Sequence, residues 1–197
     1  IDPLMSLLAS ADEDSPLNEQ QRARFVALAG TTGAQRMSLA NSAGIALGAD
    51  YRFDLVRPGI ALYGGVPRAE LAGMRQVATP EAQVLQRRRV AAGESVGYNA
   101  TWTAQTDTEV AILNLGYADG YWCGFSGKGA ARAGATRLPV LGRVSMDLIA
   151  VDCGAADVAE GDWLALDYAL PEASAISAMS QYELLTGLGA RFDRIWR

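Results

Sequence analysis

Asn41 and Ser42 in "LANS", then Gly59 and Ile60 in "RPGIALYGG", put an amide, a hydroxyl and small residues where a helix should start or the chain should turn. Such places offer free backbone N–H groups that cradle phosphate, although the same residues also serve as ordinary caps and turns. Arg57 sits inside the apolar stretch "FDLVRPGIALY". A guanidinium there must be paired or hydrogen-bonded to offset its desolvation, and Asp54 is a candidate partner. A third cluster spans "VGYNATW", "LGYADGY" and "GRVSMD", with Tyr98, Tyr117, Asp119, Tyr121, Arg143, Met146 and Asp147. Tyr98, between Gly97 and Asn99, either packs at a sheet edge or projects a phenol that can carry a proton.

These residues need elements to position them. "SPLNEQQRARFVALA" (15–29) predicts a helix with Ser15 as cap and Pro16 in its first turn. "MSLANSAGIALG" predicts a strand, a loop and a helix, and "FDLVRPGIALYGG" predicts a strand followed by a Pro-Gly turn. Repeated strand–loop–helix units indicate parallel α/β architecture. This segment is too short to be expected to close a core of its own. From about residue 77 the pattern becomes short alternating strands split by turn residues, an all-β signature. "SAISAMSQYELLTGLG" is the exception: Ile176, Met179, Leu184 and Leu188 predict one late helix.

Composition excludes several classes. The chain has 197 residues, half of them hydrophobic, and a net charge of −5, which opposes nucleic-acid or anionic-membrane partners. No run reaches the roughly 18–20 apolar residues needed to span a bilayer. There is no histidine, so a Ser–His–Asp hydrolase or histidine-ligated zinc site is excluded within these residues. Two cysteines, Cys123 and Cys153, make neither a disulfide framework nor a metal site. "IDPLMSLLAS" lacks the basic region of a signal peptide and does not start with Met, and reads as the interior of a longer chain.

Seven ordered motifs, "ASADEDSPLNEQQRARF", "LANSAG", "FDLVRPGIALYGG", "VGYNATW", "LGYADGY", "PVLGRVSMDL" and "YELLTGLGARF", make the chain similar to the bacterial pyridoxal-phosphate-dependent alanine racemases, specifically to their C-terminal portion. The resemblance implies an α/β plus all-β protein. Residues 1–66 would be the last part of a TIM-like (β/α)8 barrel that binds pyridoxal 5'-phosphate, and residues 67–197 a barrel-like β domain with one late helix. It implies a cytoplasmic homodimer with shared active sites, acting on L- and D-alanine through a cofactor aldimine by two bases, and supplying D-alanine for peptidoglycan. By position, Asn41, Ser42, Gly59 and Ile60 would hold the cofactor phosphate, and Arg57 would contact the pyridine nitrogen. Tyr98 would be a catalytic base, and the Met146 N–H would meet the substrate carboxylate. Tyr117, Arg143 and Asp147 would lie at or near the entrance.

Three departures qualify that reading. The family's Schiff-base lysine belongs to an early barrel strand, and the single lysine here, Lys128, sits in the Gly-rich "FSGKGAARAG", where a solvated loop is expected. The isolated residues are therefore expected to be inactive. Leu7 and Ser38 stand where family members often have histidine, and Cys123 where an arginine is common. Two other readings stay open: a racemase of broader amino-acid specificity, and a non-catalytic remnant that dimerises through its β domain.

Overall fold

Ser15 and Pro16 start the first helix as their types require. The Ser15 Oγ accepts from the Leu17 N–H, and α1 runs over Pro16–Val26. The computed structural model describes residues 2–196 and divides into two units, Ile1–Ala78 and Thr79–Arg197.

In the first unit, β1 (Leu4–Met5) pairs in parallel with β2 (Met37–Ser38), Leu4 opposite Met37. After β2 the chain turns into the short helix α2 (Ser42–Ala46), whose cap Asn41 accepts the Gly44 N–H at 2.9 Å. Phe25 of α1 meets Phe53 edge-on, with ring centroids 5.2 Å apart. Leu8, Ala11, Phe25, Leu39 and Ala43 form a buried cluster. The expectation that this segment closes no core is thus corrected: Phe25 of α1 joins Leu39 and the loop residues in a small buried cluster, with Leu4 and Met37 of the strands packed against it. The strand expected over "FDLV" is also absent. Residues 53–54 lie in a turn, and only a single parallel bridge, Asn41 to Arg57, continues the sheet.

The second unit begins with β3 (Glu81–Val90), followed by the small antiparallel pair β4 (Ser95–Val96) and β5 (Trp102–Thr103). Then come β6 (Thr108–Leu113), β7 (Ala130–Ala133), β8 (Thr136–Leu141), β9 (Ile149–Asp152) and β10 (Trp163–Leu166). Six of these strands close an antiparallel barrel in the order β10-β3-β6-β9-β8-β7. The alternation of β3 places Ala82 and Val84 inside, with Ala111, Leu113, Leu138, Val140, Val151, Leu164 and Leu166 from the other strands. A register shift between Val84 and Gln86 bends β3, and the arginine run beyond it faces acidic partners, Arg87 pairing with Glu109 at 3.2 Å.

Where the sequence predicts one late helix, there are two, α3 (Leu170–Ser177) and α4 (Gln181–Gly187). Ala178 adopts a left-handed φ of 61° and ends α3. Ser180 and Glu183 then form a reciprocal capping box that starts α4 afresh. The apolar stripe survives the break because both helices pack on the same barrel core.

Candidate functional site

The structure gathers the candidate residues into two groups, one in each unit. In the first unit the group lies just beyond the C-terminal end of β2, the end at which parallel α/β sheets present ligand-binding residues. Ser42, 1% exposed, accepts through its Oγ from the Gly59 N–H at 2.9 Å and the Ala61 N–H at 3.3 Å. These bonds fold "RPGI" back against the start of α2 and leave the Ser42 hydroxyl proton without an acceptor among the described residues. The Ile60 N–H likewise has no acceptor among the described residues, although Ile60 is buried. Gly59 is exposed, and a Cβ built on it meets nothing within 4 Å, so this face of the turn is open. Unspent donors at such a turn, with no carboxylate of their own, are the chemistry of a phosphate cradle.

Arg57 stands next to this group, its N–H donating to the Ala40 carbonyl at 2.9 Å. Asp54 is not its partner, because that carboxylate accepts from the Met37 N–H at 2.8 Å. Arg57 instead donates to the Ser38 Oγ, to the Ser6 carbonyl at 2.6 Å and to the Leu39 carbonyl at 3.4 Å. Ser38 is fully buried and passes its own proton to the Leu55 carbonyl at 2.8 Å. Among the described residues the guanidinium has only neutral oxygens around it, so its charge remains available to a ligand. Leu7 is exposed at 61% and offers nothing polar.

In the second unit three turns converge. Tyr98 follows Gly97, whose φ is 81°, and is followed by Asn99 and Ala100 at φ 62° and 46°. Positive φ is free for Gly97 but costs energy at Asn99 and more at Ala100, and such positions cluster at functional sites. They leave the Tyr98 ring 70% exposed, with no hydrogen-bond partner for its Oη among the described residues. Tyr98 is therefore not a packing residue. Its turn abuts the Arg143 backbone: a Cβ on Gly97 would lie 3.5 Å from the Arg143 nitrogen. Arg143 also lines a cleft of about 410 Å³ with Thr101, Trp102, Cys123 and Ser126.

The "LGYADGY" and "GRVSMD" segments are bound directly together. Tyr117 N–H donates to the Ser145 carbonyl and Ala118 N–H to the Met146 carbonyl, both at 3.0 Å. Gly116 permits this approach, since any Cβ there would fall on the Ser145 and Met146 carbonyls. Ser145 closes its own turn, its Oγ accepting from the Leu148 N–H at 3.0 Å. Met146 and Asp147 are left exposed at the tip, and the Met146 N–H has no acceptor among the described residues. Tyr117 is partly exposed, whereas Tyr121 is in the core, stacked on Phe125 at 4.3 Å, with burial pushing its phenol well up. Of the two tyrosines in this motif only Tyr117 can meet a ligand.

Arg191, in the motif "LGARF", is a site residue that residue type and spacing did not single out. It donates to Asp147 at 2.8 Å and pairs with the buried Asp119 at 3.1 Å. Lys128 is exposed in the turn between Gly127 and Gly129. Both cysteines are free, Cys123 exposed and Cys153 buried. Burial pushes the Cys153 thiol up, and its Sγ donates to the Glu109 carbonyl at 3.2 Å. Iodoacetamide on the folded protein should alkylate Cys123 alone, and both cysteines in denaturant, as read by peptide mass spectrometry. No group of metal-ligating residues occurs among the described residues, and no helix there is long and apolar enough to cross a membrane.

Comparison with known proteins gives two family matches, to "Alanine racemase, N-terminal domain" over residues 1–67 and to "Alanine racemase, C-terminal domain" over residues 77–196. The expectation of a C-terminal portion, with only the last part of a (β/α)8 barrel over residues 1–66, is corrected by the first of these. Both domains of the family are represented, an N-terminal α/β unit and a C-terminal β-barrel unit. The chain is 45% identical to the alanine racemase of Methylobacterium nodulans, covering 97% of this chain and 54% of that protein. It is 42% identical to that of Rhodospirillum rubrum, covering 97% and 53%. The chain thus spans about half the length of the curated relatives it matches. Among solved structures, alanine racemase from Bartonella henselae with covalently bound pyridoxal phosphate superposes with a TM-score of 0.86 at 38% identity, over 97% of this chain and 55% of that one. The Streptomyces coelicolor alanine racemase gives 0.90 at 31% identity, over 99% and 56%.

Proposed function

The chain belongs to the alanine racemase family, and from that premise we propose that the protein interconverts L-alanine and D-alanine with pyridoxal 5'-phosphate as its cofactor. The observation that carries this reading is the turn that Ser42 organises through the Gly59 and Ala61 amides, with the Ile60 N–H left unspent and, in the same segment, an arginine whose partners among the described residues are all neutral. Asn41, Ser42, Gly59 and Ile60 would hold the phosphate. Arg57 would face the pyridine nitrogen, to which a guanidinium can only donate. When bound, the cofactor supplies the electron sink that acidifies the α-proton of the bound amino acid.

The remaining chemistry is assigned to the second unit. The Tyr98 phenol takes the α-proton from one face and can return it there; the opposite face needs a second base, a part not assigned to Lys128, which is exposed in a turn. The unspent Met146 N–H receives the substrate carboxylate. Tyr117, Arg143 and Asp147 flank the approach. In this reading the protein is a homodimer in which the Tyr98-bearing unit of one subunit serves the phosphate cradle of the other. It works in the cytoplasm, where its D-alanine feeds peptidoglycan. Free thiols and a net charge of −5 suit that compartment.

The test is chiral analysis of alanine incubated with the cofactor-loaded protein. L-alanine and D-alanine should each approach the same equal mixture, a result that would also replace the expectation of inactivity drawn from the single lysine, and no conversion at saturating cofactor would overturn the proposal. Gly59→Ala tests the cradle separately. Its new methyl group enters free space, so the melting temperature should hold. The same methyl group would crowd a phosphate held against this turn, and cofactor affinity, measured by equilibrium dialysis, should fall about tenfold, equivalent to roughly 1.4 kcal/mol.

A further inference from the structure

We propose that Arg191 is a positioning residue that sets the orientation of the Met146–Asp147 tip and hence of the amide that receives the substrate carboxylate, a role that rests on the racemase reading. The Ser145 and Met146 carbonyls of the tip accept from the Tyr117 and Ala118 amides at 3.0 Å, and Ser145 and Leu148 close its base. None of these bonds holds the Asp147 side chain. Arg191 does, donating to Asp147 at 2.8 Å. Its anchor is Asp119, whose side chain is only 8% exposed and pairs with the Arg191 Nε at 3.1 Å. Asp119 is itself locked, its Oδ2 accepting the Gly116 N–H at 2.8 Å. The three residues come from the "LGYADGY" turn, the "SMD" tip and the segment after α4, and Arg191 is the cation that joins them.

Charge strengthens the same role. With Arg191 in place, the two carboxylates and the guanidinium sum to one negative charge near the proposed carboxylate position. Without it two negative charges remain, and a substrate carboxylate is repelled as well as misaligned. Lysine keeps the charge, but its single ammonium centre lacks the planar fork that spans both acids.

The experiment compares wild type, Arg191→Ala, Arg191→Lys and Asp147→Asn in the cofactor-loaded protein. Loss of alignment in the ground and transition states alike raises KM and spares kcat. Arg191→Ala should raise KM for alanine about tenfold with kcat within about twofold, Arg191→Lys about threefold, and cofactor affinity should not change. Hydrogen exchange supplies a readout independent of activity: the Tyr117 and Ala118 amides should exchange faster in Arg191→Ala and Asp147→Asn, while β6 and β9 stay protected. A wild type without racemisation defeats the functional reading, and the exchange arm still decides this one. Unchanged exchange at those two amides in both variants, or full restoration of KM by Arg191→Lys, would overturn the positioning role.

Discussion

Tyr98→Phe is expected to lower racemisation by about 10²–10⁴-fold, the range that a positioned acid–base group contributes, while leaving the barrel as stable as before. The phenol makes no hydrogen bond among the described residues, and the ring is 70% exposed, so removing the oxygen breaks no contact. The turn that presents it is held by the β4–β5 pairing of Ser95 with Thr103 and Val96 with Trp102 and by the Ser95–Thr103 hydroxyl bond, none of which involves the phenol. Only the proton-transfer function should go. The assay is L-to-D conversion, accompanied by washout of the α-proton into deuterated water from each enantiomer. With one base per face, washout from one enantiomer should collapse far more than from the other. A phenylalanine variant of wild-type rate would remove Tyr98 from the mechanism, and equal loss from both enantiomers would place it outside a two-face scheme.

Gly116→Ala should damage both the fold around the site and the activity. The backbone here is extended, so alanine is conformationally acceptable, and the obstacle is space. An added Cβ would lie well inside 3.0 Å of the Ser145 and Met146 carbonyls, backbone atoms that cannot swing aside. Overpacking of this kind costs about 1–3 kcal/mol. Relief requires the two turns to separate, which breaks the Tyr117 and Ala118 bonds to the "SMD" tip. A denaturant titration should show the stability loss, and racemisation should fall further than the Gly59→Ala variant's, because the carboxylate-binding amide moves. If Gly116→Ala kept wild-type stability and KM, the close packing of the two motifs would not be what aligns them.

Much of this protein is written in local sequence. Ser15 with Pro16, and Asn41 before Ser42, announce helix starts through side chains that reach amides two or three residues on. Period-two alternation marks the barrel strands because each inward side chain must be apolar whatever its partner strand. The Gly-Tyr-Asn of residues 97–99 signals a turn that presents a phenol, since residues tolerant of positive φ flank it. These features depend on a few neighbouring residues, and the residue types alone carry them.

Tertiary structure decided the rest, because the quantities involved depend on partners distant in the chain. Nothing local distinguishes Tyr117 from Tyr121, yet barrel closure exposes the first and stacks the second on Phe125. The stripe that predicts one late helix cannot reveal the break at Ala178, since both halves pack on the same core. Asp54 was the nearest acid to Arg57 in sequence, but the Met37 N–H holds it, and Ser6 and Ser38 take the arginine. Arg191 gains meaning only when the fold places it between Asp119 and Asp147. The sequence alone therefore determined which groups could do the chemistry and which turns present them. Burial, counter-charge and long-range pairing, which arise only when distant segments exclude water together, decided which of those groups are free to act.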